Sequence, residues 1–252
     1  MSLSLENVSV DLGARRVIDA VSLRVQAGEV VALLGRNGAG KTSLMRAGLG
    51  LAPVTEGRVE LGGADPRRLS SRERALRAAY LPQRPQAIWP ISVERLVALG
   101  RYAHGAAPER LGPRDQEAVD QALDVCALIA MRARRMDELS GGKQARAHLA
   151  RALAQTAPLM ALDEPTAGLD PAQALGVSEV LADQARAGRA VLICTHDLGL
   201  AARVADRVDL LCAGRVLSDG APDALPAQAL AAASGRNARM HEIEGVRLAL
   251  FD

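Results

Sequence analysis

The stretch Gly35-Arg36-Asn37-Gly38-Ala39-Gly40-Lys41-Thr42 has the spacing of a phosphate-binding loop. Its glycines allow backbone N–H groups to close around phosphate oxygens, and the ammonium group of Lys41 can reach the β and γ phosphates of a nucleotide. The hydroxyl group of Thr42 is a ligand that Mg2+ accepts. Lys41 is one of only two lysines among 31 basic residues, so a chain that otherwise uses arginine keeps lysine here. The rigid, planar guanidinium group of arginine would be a poor replacement.

The residues on both sides of this loop fit the strand, loop and helix order that a phosphate-binding loop requires. Val30 to Leu34 is a short, continuous apolar run that predicts a buried strand ending at the loop. The sequence Thr42-Ser43-Leu44-Met45-Arg46 predicts the start of a helix. A glycine turn without function would not need this context. We therefore predict that residues Gly35 to Ser43 bind the phosphates of a nucleotide.

The composition is that of an ordinary globular protein with a sizeable core. The chain has 252 residues, of which 49% are hydrophobic and 24% are charged. No apolar run approaches the roughly 18 to 20 residues that span a membrane, and the N-terminus lacks signal-peptide features, so we expect a cytoplasmic location. The net charge of +2 argues against nucleic acid as a partner. Cys126, Cys194 and Cys212 have no metal-binding spacing and are expected to be small buried residues.

Strand patterns occur in both halves of the chain. Two half-exposed strands are predicted near the N-terminus, at Leu3 to Val10 and Val21 to Val25. Continuous apolar runs predict buried strands at Val30 to Leu34, Ala78 to Leu81, Leu159 to Leu162 and Val191 to Thr195. A closing hairpin is predicted at Val208 to Leu217, with its turn at Ala213-Gly214.

The segment from Ser92 to Arg151 has helical spacing and carries no strand signal. The sequence therefore predicts an α/β nucleotide-binding core, formed by residues 1–85 and 151–252, that is interrupted by a helical subdomain at residues 86–150. The alanine-rich segment Ala221 to Ala233 is predicted to be a surface helix.

Two adjacent carboxylates, Asp163 and Glu164, follow the predicted strand Leu159 to Leu162. Open α/β sheets bind ligands at the carboxyl ends of their strands, so both side chains are placed where a nucleotide would lie. Asp163 can hold the Mg2+ that Thr42 also touches, and Glu164 can orient or deprotonate a water for attack on the γ phosphate. Taken alone, such a pair of carboxylates is found as often in an ordinary loop as in a functional site. Together with the phosphate-binding loop it predicts nucleotide hydrolysis.

A second candidate anion site is Leu139-Ser140-Gly141-Gly142-Lys143-Gln144, followed by the predicted helix Ala145 to Ala154. A serine and two glycines before a helix leave free N–H groups at the positive end of the helix dipole, which favours an anion there. An ordinary helix cap gives the same pattern, and for Ser140-Gly141-Gly142 alone it is the favoured interpretation.

Together these motifs resemble the ATP-binding subunit of an ABC transporter, and the resemblance extends from Leu5 to about Gly220. The longer motifs of that family correspond to Gly35 to Thr42 (Walker A), Leu139 to Gly142 (signature) and Leu159 to Asp163 (Walker B). The other motifs correspond to Gln83 (Q-loop), Glu164 (catalytic glutamate), Gly168-Leu169-Asp170 (D-loop) and His196 (switch histidine).

The resemblance implies a P-loop NTPase (RecA-like) core with an N-terminal antiparallel β subdomain and an inserted α-helical subdomain. It implies that the cofactors are ATP and Mg2+, and that the Mg2+ ligands are Thr42, Gln83 and Asp163. The catalytic residues that it implies are Glu164, His196 and Gln83. It also implies a homodimer in which Ser140, Gly141 and Gly142 of one subunit close over the ATP held by Lys41 of the other. His196 would then hold Glu164 and the γ phosphate in place.

Two positions depart from the family pattern. The signature usually continues with glutamine or glutamate, where this chain has Lys143. This extra positive charge either strengthens the ATP-bound closure or is simply solvated. An aromatic residue commonly stacks on adenine near position 12, where this chain has Leu12. Arg15 or Arg16 could stack its guanidinium plane there instead, which leaves the base selectivity open.

Three of the four aromatic residues, Tyr80, Trp89 and Tyr102, fall close to the Q-loop. Aromatic residues and arginine are enriched at interface hot spots, so Trp89 and Arg101 are candidate anchors for a partner. The alternative is that Trp89 fills the core of the helical subdomain. In the family this surface receives the membrane permease, so the resemblance implies permease binding around Trp89 to Tyr102.

The runs Trp89 to Tyr102 and Thr195 to Arg203 resemble the ATPases of importers for iron siderophores, haem and cobalamin. We therefore predict an ATPase at the cytoplasmic face of the inner or plasma membrane, with permease subunits as partners and a periplasmic substrate-binding protein as an indirect partner. The alternatives are a non-transport ATPase of the same superfamily, the ATPase of an exporter, and a regulatory module without turnover. The sequence does not identify the cargo.

Overall fold

Two β-sheets contain most strands of the computed structural model, which describes residues 2–85, 90–234, 238–243 and 246–251. A three-stranded antiparallel sheet consists of β1 Leu3–Leu12, β2 Arg15–Val25 and β4 Glu56–Leu61. A six-stranded sheet consists of β3 Val30–Leu34, β5 Ala78–Leu81, β6 Leu159–Asp163, β7 Ala190–Thr195, β8 Arg207–Cys212 and β9 Arg215–Gly220. A separate hairpin pairs β10 Ala238–Ile243 with β11 Val246–Phe251.

The six-stranded sheet has the strand order β5-β6-β7-β3-β8-β9. Neighbouring strands are parallel from β5 to β8, whereas β8 and β9 are antiparallel. The strands β3, β6 and β7 are buried along their whole length, which is why their sequences are continuous apolar runs. Because these three strands lie side by side, their carboxyl ends bring Gly35, Glu164 and His196 to the same edge of the sheet.

The helices of the described residues are α1 Lys41–Gly48, α2 Ser71–Arg77, α3 Val93–Ala98, α4 Pro113–Val125, α5 Gly141–Ala154, α6 Pro171–Arg186, α7 Leu198–Val204 and α8 Ala227–Ser234. Helices α3, α4 and α5 pack on one apolar core, which includes Val97, Leu123 and Leu153 and continues to Met160 on β6. This shared core fixes the helical segment to one face of the sheet. None of the helices described is long and apolar enough to cross a membrane.

Most predicted elements are present, and the hairpin with its turn at Ala213-Gly214 is confirmed. The second strand begins at Arg15 instead of Val21, because it pairs with β1 as a long hairpin from the Leu12–Arg15 pair onward. The surface helix predicted at Ala221 to Ala233 is present but shorter, because it begins only at Ala227. Prolines divide that segment into a short 3₁₀ turn at Pro222–Ala224 and helix α8, whose inner face is buried.

The structure bears on two other expectations, the burial of the cysteines and the division of the chain into a core and a helical subdomain. Cys126 and Cys194 are buried as expected, but Cys212 is partly exposed at the end of β8. Helix α5 continues beyond residue 150 to Ala154, and residues 86–89 lie outside the described part of the chain. The predicted division into a two-part core and a helical subdomain at 86–150 stays a prediction.

Candidate nucleotide-binding and hydrolysis site

The phosphate-binding loop connects β3 to α1 and curls around the ammonium group of Lys41. The Lys41 Nζ atom is buried and donates hydrogen bonds to the carbonyl oxygens of Gly35 at 2.6 Å and Arg36 at 3.3 Å. Gly40 has a φ of +107°, and a Cβ atom there would lie 2.6 Å from the Cδ1 atom of Ile18. Only glycine therefore fits at this point, where β2 closes over the loop.

Thr42 and Asp163 form the second part of the site. The Thr42 Oγ1 atom donates a hydrogen bond of 2.7 Å to the Oδ2 atom of Asp163. Burial raises the pKa of Asp163 above its usual value, and the hydrogen bond from Thr42 opposes that shift. A bound cation would stabilise this buried carboxylate, and carboxylate and hydroxyl oxygens are donors that suit Mg2+, so these residues fit the ion that the sequence predicts.

Gln83 is exposed and lines the same cavity as Lys41, Thr42 and Asp163. This cavity has a volume of about 590 Å³ and also receives Ser43 from the start of α1. The structure therefore brings the three predicted Mg2+ ligands and seven of the nine predicted phosphate-binding residues to one opening, all but Gly35 and Ala39. We refer to it below as the phosphate cavity.

Glu164 directly follows β6 and is buried. Its Oε2 atom lies 2.9 Å from the Nδ1 atom of His196, and its Oε1 atom lies 3.6 Å from the Nζ atom of Lys41. Among the described residues, Oε1 has no hydrogen-bond partner. A carboxylate held between a cation and an imidazole, with one oxygen that accepts no hydrogen bond from the described residues, has the arrangement of a general base for water.

The backbone of Glu164 is in a conformation that residues other than glycine rarely adopt. Its φ is +52°, which costs about 1 to 2 kcal/mol. The N–H group of Glu164 donates a hydrogen bond of 2.8 Å to the carbonyl oxygen of Cys194 on β7, and this bond holds the turn in place. His196 comes directly after the end of β7, two positions after Cys194. The pairing of β6 with β7 therefore sets the distance between the side chains of Glu164 and His196.

A second cavity, of about 950 Å³, adjoins the first at Glu164. It is lined by Asn37 of the phosphate-binding loop, by Glu164 and His196, and by Gly168 of the predicted D-loop. We call it the hydrolysis cavity. Along its wall, Glu164 lies between the phosphate-binding loop and the predicted switch histidine.

The predicted signature residues Ser140, Gly141 and Gly142 line neither cavity. They lie at the start of α5, where Ser140 and Gly141 are exposed. The position of a Cβ atom at Gly142 is taken by the side-chain amide of Gln173 on α6, so a larger residue would need that amide to move. The sequence does not indicate this contact, because the two residues are 31 positions apart and neither motif predicts a partner in the other.

Leu12, Arg15 and Arg16, which the sequence predicts to lie near the base of the nucleotide, also line the phosphate cavity. Arg16 is held by hydrogen bonds to the carboxylates of Asp11 and Glu56, at 3.0 Å each. Arg15 is exposed and forms no ion pair with the described residues. Of the two arginines suggested by the sequence, the structure leaves Arg15 the freer to contact a base.

Arg101 is not a surface anchor, which corrects the expectation from the sequence. Its side chain is buried and donates hydrogen bonds of 2.8 Å to Asp115, to the carbonyl oxygen of Ala154 and to Thr156. These bonds hold the Nε and Nη1 atoms inside the fold, and because only 7% of the residue is exposed, Arg101 offers little surface to a partner. Tyr102 is 74% exposed, and Trp89 lies outside the described residues.

The fold and the two cavities define a P-loop protein built to bind and hydrolyse a nucleotide. The ABC transporter family model matches residues 18–167, and the chain therefore belongs to this family, as an ATP-binding subunit that hydrolyses ATP. The chain is 45% identical to the hemin import ATP-binding protein HmuV of Streptomyces coelicolor, over 88% of this chain and 78% of that protein. It is 39% identical to the cobalamin import ATP-binding protein BtuD of Halobacterium salinarum, over 88% of this chain and 56% of that protein.

Solved structures agree with this assignment. An ATP-binding subunit of an ABC transporter has a TM-score of 0.79 and 27% identity, with 88% of this chain and 91% of that chain covered. An ABC transporter described as metal-chelate type, in an inward-facing conformation, has a TM-score of 0.84 and 25% identity, with 100% of this chain and 96% of that chain covered. The predicted fold class and the predicted family are both confirmed.

Proposed function

We propose that this chain powers the import of a metal chelate, such as haem or an iron siderophore, or of cobalamin. The proposal is supported by relatives whose names state hemin import and cobalamin import, and by the likeness to a transporter of metal-chelate type. The chain would act at the cytoplasmic face of the membrane, bound to permease subunits that receive cargo from a periplasmic binding protein.

The observation that carries the catalytic part of this proposal is the position of Glu164 between Lys41 and His196. Lys41 and the N–H groups of the loop bind the β and γ phosphates of ATP. Glu164 accepts a proton from the attacking water, while His196 holds the carboxylate in place. Thr42, Asp163 and Gln83 would hold Mg2+, which when bound neutralises charge on the phosphates.

We also propose that two subunits pair head to tail, so that Ser140, Gly141 and Gly142 of each contact the ATP of the other. The support is that these residues line neither cavity of their own chain, while they offer the exposed N-terminus of α5. Free N–H groups at a helix N-terminus favour a phosphate.

Glu164→Gln tests the catalytic role. The variant should bind MgATP and accumulate as a dimer, but its turnover should fall by a factor of about 10² to 10⁴, because the proton acceptor is lost while the phosphate cavity remains. Glu179→Gln, an exposed glutamate on α6, is the matched control. Size-exclusion chromatography with MgATP and a phosphate-release assay give both readouts, and a monomer with near-normal turnover would refute the assignment.

The cargo class needs a separate measurement. The chain should be reconstituted with its permease in proteoliposomes, and its ATPase rate compared with the binding protein loaded with haem, with an iron siderophore or with cobalamin. Stimulation by one of these and uptake of that compound would support the proposal. If the chain does not co-purify with any membrane protein, the transport proposal fails while the ATPase assignment stands.

A further inference from the structure

Helix α8 is tied directly to the phosphate-binding loop. The backbone N–H group of Arg36 donates a hydrogen bond of 3.1 Å to the carbonyl oxygen of Ala233, near the end of α8. Arg36 is the second residue of the loop, and the carbonyl oxygen of Gly35, which belongs to the same peptide unit as the Arg36 N–H group, accepts a hydrogen bond of 2.6 Å from Lys41. One peptide unit of the loop is therefore held by the buried ammonium group on one side and by α8 on the other.

The inner face of α8 packs on the strand that leads into the phosphate-binding loop and on the helix that follows His196. Leu230 and Ala233 of α8 share one buried cluster with Leu34, the last residue of β3, and with Ala201 on α7. Strand β3 leads into the phosphate-binding loop, and α7 begins two residues after His196. The helix thus bridges the start of the loop and the segment that carries the switch histidine.

The same face of α8 forms a wall of the hydrolysis cavity. Leu230 and Ala233 line this cavity together with Asn37, Glu164 and His196. By contrast, none of the described α8 residues lines the phosphate cavity that contains Lys41 and the predicted Mg2+ ligands. The helix therefore lies at the end of the site where water attacks, away from most of the groups that hold the nucleotide.

We propose that α8 is a positioning element of the ATPase site. Through the Ala233 carbonyl group and the Leu230 side chain, it fixes the turn at Arg36 and the segment of His196 relative to Glu164. This inference rests on the proposed catalytic roles of Glu164 and His196. Because Leu230 and Ala233 line the hydrolysis cavity, while none of the described α8 residues lines the phosphate cavity, loss of the contact should lower turnover more than it weakens ATP binding.

The hydrogen bond is tested by comparing Arg36→Pro with Arg36→Ala. Both variants lose the guanidinium group, but only proline also removes the N–H donor. A typical hydrogen bond contributes about 1 kcal/mol, so kcat of Arg36→Pro should be about fivefold below that of Arg36→Ala. The dissociation constants of the two variants for ATP should agree within about twofold.

The packing is tested by Leu230→Ala, with Leu225→Ala as its matched control. The two leucines are 2% and 1% exposed and belong to the same cluster, but Leu225 lines neither cavity. Both variants should lose thermal stability to a similar extent. Only Leu230→Ala should also lower kcat, by about fivefold or more, with an ATP affinity close to that of Leu225→Ala. This pair remains informative if the proline variant does not fold.

The outcomes separate this inference from the proposed function. If Glu164→Gln loses turnover, Arg36→Pro and Leu230→Ala should each show the selective fall in kcat relative to its control. If Glu164→Gln loses turnover but both pairs of variants have equal kcat, or differ mainly in ATP affinity, only the role of α8 is overturned. If Glu164→Gln keeps its turnover, the proposed catalytic site is wrong and the inference falls with it.

Discussion

The ammonium group of Lys41 contacts three oxygen atoms. Two are the carbonyl oxygens of Gly35 and Arg36, and the third is a carboxylate oxygen of Glu164 at 3.6 Å. Because the ammonium group is buried, the space around it is too small for the larger, planar guanidinium group of arginine. Its position between the loop and Glu164 places it where nucleotide phosphates would replace the carbonyl oxygens as its partners. We therefore predict that Lys41 binds the phosphates in both the ground state and the transition state.

Lys41→Ala should therefore weaken ATP binding itself, and Lys41→Arg should fail as well. We expect the affinity to fall by at least about tenfold, the effect of losing about 1.4 kcal/mol of interaction with the phosphates. Isothermal titration calorimetry with MgATP measures this directly. Arg46→Ala, an exposed cation on the same helix, is the control, and unchanged affinity in Lys41→Ala would contradict the phosphate-binding role.

In the part of the chain that the structure describes, no aromatic residue lines the phosphate cavity beside Leu12, where the sequence predicts the base to lie. Hydrolysis of GTP should then come within about tenfold of ATP, because less than about 1.4 kcal/mol would separate the two bases. Leu12→Tyr should sharpen the preference for ATP. A wild-type preference of about a thousandfold would mean that another group reads the base, and comparing Arg15→Ala with Arg16→Ala would show which arginine it is.

Among the elements, α5 carries a histidine whose charge the fold disfavours. His148 is buried, its Nδ1 atom has no partner among the described residues, and burial lowers its pKa to about 4, with Arg151 adding to the effect. The neutral side chain contributes stability that is present above pH 6.5, the value of the unfolded chain. That contribution is lost as the pH falls through about 4.

His148→Gln should therefore flatten the fall in the free energy of unfolding between pH 6.5 and about 4. Asp209 acts in the opposite direction, because burial raises its pKa to about 6. Its contribution is present below about 3.8 and is lost as the pH rises through about 6, so Asp209→Asn should make the acid-side fall steeper. Urea unfolding at several pH values measures both slopes. Equal slopes in the wild type and His148→Gln would contradict the assignment.

The elements also show how far the sequence could predict the structure. Strands β3, β6 and β7 were predicted because burial on both faces requires continuous apolar runs, and the polar residues at their ends then had to share one edge. The contact of Gln173 with Gly142 and the bond from Arg36 to Ala233 join distant segments through an amide and a backbone carbonyl. Such contacts leave no periodicity or motif in the sequence, so they could not be predicted. Arg101 was misassigned because arginine is common both at interfaces and in buried ion pairs.

For the whole molecule, the surface beside the predicted Q-loop is where we expect the permease to bind. Tyr102 is 74% exposed and lies next to Leu99, which is also exposed, on a 3₁₀ turn that follows α3. A large aromatic side chain with most of its surface free is a typical interface anchor. Trp89, the other anchor suggested by the sequence, stays a prediction.

Tyr102→Ala should weaken binding to the permease by about 2 kcal/mol or more, the size of a hot-spot truncation, and transport should fall with it. In the isolated subunit, stability should change by no more than about 0.5 kcal/mol, because the side chain is exposed. The adjacent Arg101→Ala should do the reverse and cost about 3 kcal/mol of stability, since the buried pair with Asp115 loses one partner. Denaturant unfolding and co-purification with the permease distinguish the two variants. A large stability loss in Tyr102→Ala, or full permease binding, would remove this surface from the proposal, because an exposed anchor must act on the complex and not on the fold.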